Sequence, residues 1–101
     1  LAGGRWFELP LVAQLGNIGS EVSRAHSARE AGKRERMTRA LERALELFDL
    51  TISDPRHRKR LREICRAREI GCDYFYGDNQ YGSTGESLVR WFDAYARAAR
   101  R

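Results

Sequence analysis

Apolar positions along the chain recur at alternating spacings of three and four, the period of a helix with one buried face, and no stretch alternates with the period of two that a strand requires. Four segments carry the pattern. The first, from about Pro10 to Ala31, places Leu11, Leu15, Ile18, Val22 and Ala25 on one seam. The second, Lys33 to Ser53, runs Met37, Leu41, Ala44, Leu45, Phe48 and Ile52 down its seam, and Leu47 and Leu50 broaden the stripe enough to meet two other helices. The third, Pro55 to about Tyr76, turns Leu61, Ile64, Cys65, Cys72 and Phe75 inward, with Arg68 on the same line. The fourth opens at Ser83 and gathers Leu88, Trp91, Phe92, Tyr95 and Ala99 on its apolar face.

The punctuation between segments fits. Pro10 and Pro55 stand where a missing N–H costs nothing, and Ser53 or Asp54 is placed to cap the third helix. Ser83 and Glu86 have capping-box spacing for the fourth. Between the last two helices lies "CDYFYGDNQYGSTGES", which has no basic residue although arginine crowds the chain on both sides. Gly77 to Thr84 imitates the glycine spacing of a phosphate-binding P-loop, but Ser83 stands where its lysine belongs and the segment follows a helix instead of a strand. The stretch is therefore expected to be a corner: Gly77 ends the helix in a left-handed conformation, Asp78 and Asn79 turn, and Ser83 starts the next helix. Short connections force neighbouring helices to run antiparallel. The expected fold is all-α, an up-down-up-down antiparallel four-helix bundle over residues 1–101, with residues 1–8 as an N-terminal extension.

Length and composition narrow this to one folded domain, since 101 residues with 42% hydrophobic and 33% charged side chains suffice for a single core. No apolar run reaches membrane length and the N-terminus lacks a signal-peptide pattern, so no membrane contact and a cytoplasmic location are expected. Cys65 and Cys72, seven residues apart on one helix, sit roughly 10 Å from each other, too far for a bridge, and read as reduced apolar fillers. His26 and His57 are the only other soft ligands, so no metal and no other cofactor is expected. Neither histidine follows a glutamate at the Glu-x-x-His spacing of a di-metal bundle, Asp54 to His57 being the nearest match. Neither follows an arginine at the Arg-x4–6-His spacing of helical ribonucleases. A non-catalytic protein is expected; a small enzyme with an unrecognised site is the alternative.

Charge changes the picture most. The chain carries 19 basic against 14 acidic side chains, a net +5, and all but two of the basic ones are arginine, which makes planar bidentate contacts with phosphate or carboxylate. Seven basic residues lie between Arg24 and Arg43 and seven more between Arg56 and Arg68. Arg34, Arg36, Arg39 and Arg43 in the first group, and Arg58, Lys59, Arg62 and Arg66 in the second, are the candidate contacts to RNA or DNA; Arg58, Arg62 and Arg66 repeat every four residues, as a stripe on one helical face would. The same residues also read as a solvated face or a surface for an acidic protein. Glutamates interrupt both groups, and Glu30 with Arg34 and Glu35 with Arg39 have the spacing of surface ion pairs. Arg68 needs a carboxylate, for which Glu21, Glu42, Glu46 and Asp73 are candidates.

Two surfaces are candidates for self-association. Gly16, Gly19, Ser20, Ser23 and Ser27 make a face of small residues that admits a close neighbour, either within the chain or from a second copy. The aromatics Tyr74, Phe75, Tyr76, Tyr81, Trp91 and Phe92 are expected at one end of the bundle, and three consecutive rings cannot all point inward. Gly16, Ser20 and Ser23, with Tyr74, Tyr76, Tyr81 and Trp91, are thus the candidate interface of a homo-oligomer or a protein partner.

The segments "ALELFDLTISDP" and "CDYFYGDNQYGS", with the arginine-rich helix between them, resemble a family of short, uncharacterised prokaryotic four-helix proteins. The resemblance covers most of the chain and implies no catalytic residues. In architecture the chain is similar, more loosely and without a shared residue motif, to the basic four-helix bundles that assist reverse transcriptases in diversity-generating retroelements. That similarity implies an accessory subunit that assembles as an oligomer and contacts RNA, against the alternative of an interaction module that binds only protein.

Overall fold

The computed structural model describes residues 2–99, and every regular element among them is helical. There are five α-helices: α1 (Ala2–Trp6), α2 (Leu11–Glu30), α3 (Arg34–Ile52), α4 (Leu61–Tyr76) and α5 (Gly85–Ala99), with a 3₁₀ segment, Pro55–Arg60, between α3 and α4. No helix is long and apolar enough to cross a membrane among the described residues.

The turn from α2 to α3 is a Schellman motif. Gly32 takes the left-handed region at φ 71°, its N–H donates to the Arg29 carbonyl at 3.1 Å, and the Lys33 N–H donates to the Ala28 carbonyl at 2.8 Å. A one-glycine turn of this kind sets the two helices side by side at once. The third expected segment is instead two pieces. Asp54 caps it, accepting from the Arg56 N–H at 3.0 Å, but it also draws the Arg56 guanidinium and the His57 ring back onto its carboxylate, at 2.6 Å and 3.3 Å. His57 is left at φ −102°, ψ 19°, and α-geometry begins only at Leu61.

The stretch 72–87 is a corner, built otherwise than expected. Gly77 is extended, at φ −103° and ψ −157°, and Asn79 and Gly82 hold the left-handed positions at φ 53° and 66°. Asp73 organises the turn: its carboxylate accepts the Gln80 and Tyr81 N–H groups at 2.8 and 3.1 Å, and its carbonyl accepts those of Gly77 and Asn79. The reciprocal cap of α5 is shifted by one residue. Thr84 and Ser87 exchange backbone and side-chain bonds at 2.9 and 3.0 Å, in place of Ser83 and Glu86.

α2 is the central helix, packed most extensively against α3 on one side and α5 on the other, while α4 lies against α3. Leu15, Ile18, Val22, Phe48, Ile64, Leu88 and Phe92 fill the main core, and Ala25, Ala40 and Leu41 form a second cluster with Met37 and Phe75 against it. The small-residue face explains the close seam between α2 and α5, because a Cβ on Gly19 would fall within 3.0 Å of the Phe92 Cβ. Gly16, on the same helix, is buried inside the single chain. Cys65 is exposed, contrary to its expected inward position, since the seam of α4 runs through Ile64 and Ala67 and turns its neighbour outward. The side chains of Tyr95 and Ala99, expected on the apolar face, lie outside the described residues.

Within the expected extension of residues 1–8, the described part from Ala2 includes a residue of the core. Trp6 is 7% exposed and joins the main core; its indole donates to the Thr51 hydroxyl at 3.0 Å. Gln14, fully buried, donates to the Trp6 carbonyl at 2.9 Å and meets the His57 ring at 2.7 Å, and the Arg56 guanidinium reaches back to the Leu9 carbonyl at 2.7 Å. Asp54 closes this network. The Arg56 guanidinium holds its carboxyl well below the usual carboxylate range, while burial lowers the His57 pKa. Elsewhere Arg68 pairs with Asp49 at 3.1 Å, none of the four carboxylates foreseen for it, and lies half-exposed between α3 and α4.

Candidate nucleic-acid interface

Along α3, Arg36, Arg39 and Arg43 follow spacings of three and four and so share one side of the helix, the side that borders α2. Opposite them, α2 offers Ser23, Arg24 and Ser27. Ala28, Ala31 and Ala40 fill little space, and a groove of about 650 Å³ opens between the helices beside the Gly32 turn, with Lys33 at its end. Among the described residues its lining contains five cationic side chains and a single carboxylate, Glu21.

Glu21 decides which cations are free. It is 5% exposed, and a buried carboxylate without partners is very costly. Arg24 and Arg43 supply them, one on each carboxylate oxygen, Arg43 at 3.4 Å, while their own side chains remain about 70% exposed. These two arginines are committed to the fold. Lys33, Arg36 and Arg39 are exposed and stand in no ion pair among the described residues. The pairs expected to neutralise this region do not form. Glu30 ends α2 and Arg34 begins α3 beyond the turn, so their spacing is not helical, and Glu30 approaches His26 instead, at 3.9 Å. Arg39 turns to the groove, not to Glu35. Three unpaired cations converging on one concavity give it a strong preference for anions, and the two guanidinium groups among them match the geometry of phosphate oxygens.

The other candidates are scattered. Arg34 is exposed outside the groove. Arg58 and Lys59 belong to the 3₁₀ segment and Arg62 and Arg66 to α4, so the four-residue stripe is broken where α4 begins. Arg66 lines a smaller groove of about 290 Å³ between α4 and α5, with Ile70, Leu88, Trp91 and Phe92, and Glu63 beside it is paired with Arg60 at 3.0 Å. Of the interface candidates, Gly16 is buried, Ser23 lines the basic groove and Ser20 is exposed. Tyr74 is partly buried under the Arg29 guanidinium, 4.8 Å from its ring centroid. Tyr76, Tyr81 and Trp91 are 56%, 48% and 38% exposed. The aromatics form separate edge-on pairs, Tyr74 with Phe75 and Trp91 with Phe92.

Lys33, Arg24 and Ser27 are part of the groove although none of them was a candidate nucleic-acid contact in the sequence. Arg24 and Lys33 lie within the first basic group, and Ser27 lies on the small-residue face that Ser23 shares. Among the described residues no three His, Cys, Asp or Glu side chains converge as a metal site requires. Gln14, Asp54 and His57 are buried and line neither groove. Compared with protein-family models, curated proteins and solved structures, the chain matches none.

Proposed function

We propose that the protein is a non-catalytic accessory protein that binds nucleic acid, with the groove between α2 and α3 as the seat of the phosphates. One observation carries the reading: Lys33, Arg36 and Arg39 share a groove and, among the described residues, pair with no carboxylate, beside a buried Glu21 already satisfied by Arg24 and Arg43. Phosphates entering there displace only counterions, and that release drives binding. The Glu21 clamp keeps the two helices in register, so the site is set before the ligand arrives. In this reading the four long helices run up-down-up-down with α1 as an added arm, and copies of the chain associate through exposed Tyr76, Tyr81 and Trp91. RNA is the expected ligand.

The test compares two charge reversals of equal size. Arg36→Glu with Arg39→Glu acts in the groove, and Arg58→Glu with Arg62→Glu acts on the broken stripe. Titration of a labelled RNA oligonucleotide at low salt should show binding by the wild type and by the second variant within about threefold, and a loss of about tenfold or more for the first. Equal losses in both variants would reduce the groove to part of a diffuse basic surface, and no binding by the wild type would end the proposal. Molar mass in solution checks the association: Trp91→Ala with Tyr81→Ala should shift an oligomer toward monomer.

A further inference from the structure

The two walls of the basic groove differ in chemistry. The α3 side carries the free cations Lys33, Arg36 and Arg39, whereas the α2 side is lined by Ser23 and Ser27 beside Arg24, which Glu21 holds. Past the Glu21 clamp the concavity continues under α1, into a groove that shares Glu21, Arg24 and Arg43 with the first. There the charges cancel, because Glu8, Glu21 and Glu46 offset Arg5, Arg24 and Arg43 and leave no excess for phosphate. The attractive stretch is thus short and one-sided, bounded by the Gly32 turn at one end and the clamp at the other.

Resting on the nucleic-acid reading above, we infer that the occupant is a short single-stranded segment, lying with its phosphodiester backbone along α3 and its sugar and base edges toward Ser23 and Ser27. A duplex is read by a protein element that protrudes into its grooves, the major groove being about 12 Å wide. Here the concavity is on the protein, between helices whose axes lie about 8–10 Å apart, and free cations on a single wall, with Arg24 opposite held by Glu21, suit one backbone, not two. A serine hydroxyl both donates and accepts, so Ser23 and Ser27 serve any base edge and a 2′-hydroxyl alike. Among the described residues no aromatic ring lines this groove, so the reading rests affinity on charge and hydroxyl contacts and not on the stacking platform of general single-strand binders.

The experiment titrates the full chain with a single-stranded RNA, the single-stranded DNA of the same sequence, and the blunt duplex of that DNA, all at one low salt concentration. The single strands should bind at least about tenfold more tightly than the duplex, the reverse of what charge density alone would give. Ser23→Ala with Ser27→Ala, which raises helix propensity and so keeps the fold, should weaken single-strand binding about two- to tenfold per hydroxyl and leave its salt dependence unchanged. A weakening confined to RNA places the hydroxyls on the 2′-OH and a weakening in both places them on base edges; each supports the inference. A duplex that binds as well as the single strands, or a serine variant that binds like the wild type, overturns it while the nucleic-acid reading stands. Failure of all three oligonucleotides to bind removes that reading instead.

Discussion

Replacing Asp54 by alanine is the sharpest perturbation of the fold. The carboxylate is 3% exposed and accepts from the Arg56 N–H at 3.0 Å, from the Arg56 Nε at 3.1 Å on each oxygen, from its Nη2 at 2.6 Å and from the Gln14 amide at 3.4 Å. Losing the cap costs about 1 kcal/mol. Losing charge-assisted bonds to the guanidinium costs about 1.5–3 kcal/mol. Gln14 keeps the Trp6 carbonyl and His57 keeps the Gln14 oxygen, so neither is orphaned, and the freed Arg56 side chain, 45% exposed, hydrates. The total is about 2.5–4 kcal/mol, toward the lower end of the 3–5 kcal/mol of a fully buried pair broken on one side. For a domain of this size that is a fall in Tm of about 10–25 °C. Urea unfolding followed by helical circular dichroism should place Asp54→Asn, which keeps a capping oxygen but not the charge, between wild type and Asp54→Ala. An alanine variant within 1 kcal/mol of wild type would refute the assignment of this network as the tie between α1 and the α3–α4 junction.

Acid should destabilise the protein in two stages. The His57 pKa is lowered by burial and that of Asp54 by Arg56, so for both groups the unfolded chain binds the proton more readily; stability falls first as pH drops below about 6.5 and again below about 4, and Asp54→Asn should remove the second stage in a series of urea titrations. Two glycine substitutions should have opposite signs. Gly19→Ala drives a Cβ into Phe92 and should cost about 1–3 kcal/mol, whereas Gly71→Ala, with no atom within 4 Å in mid-helix, should gain about 0.5–1 kcal/mol in the same assay. Arg43→Ala should lower stability by about 1–2 kcal/mol because Glu21 loses one of its two partners, and Arg39→Ala should leave stability within 0.5 kcal/mol.

Helix content and the inward face of the second segment were legible from spacing alone, as Leu41, Ala44 and Phe48 on α3 illustrate; of the fourth, Leu88 and Phe92 are buried while Trp91, expected beside them, is 38% exposed. What escaped was decided by contacts distant in sequence. Trp6 sits in a five-residue helix too short to show a period, and its place in the core depends on Thr51. The break before α4 comes from Asp54 holding Arg56 and His57, a competition between side chain and helix that the capping pattern alone does not reveal. The density of arginine marked the region of the groove, but the free cations could be identified only once Glu21 was seen to be buried and to occupy Arg24 and Arg43. Spacing also suggested that Glu30 and Glu35 would neutralise Arg34 and Arg39, and the turn at Gly32 removes the first of those pairs.

The salt dependence of binding tests the groove most directly. With Lys33, Arg36 and Arg39 each meeting a phosphate of a single strand, the plot of log Kobs against log salt should have a slope of about −2. Replacing Arg36 and Arg39 by alanine should leave only Lys33 and bring the slope to about −0.7. A slope near zero for the wild type, or one that the double replacement leaves unchanged, would contradict a phosphate site between α2 and α3.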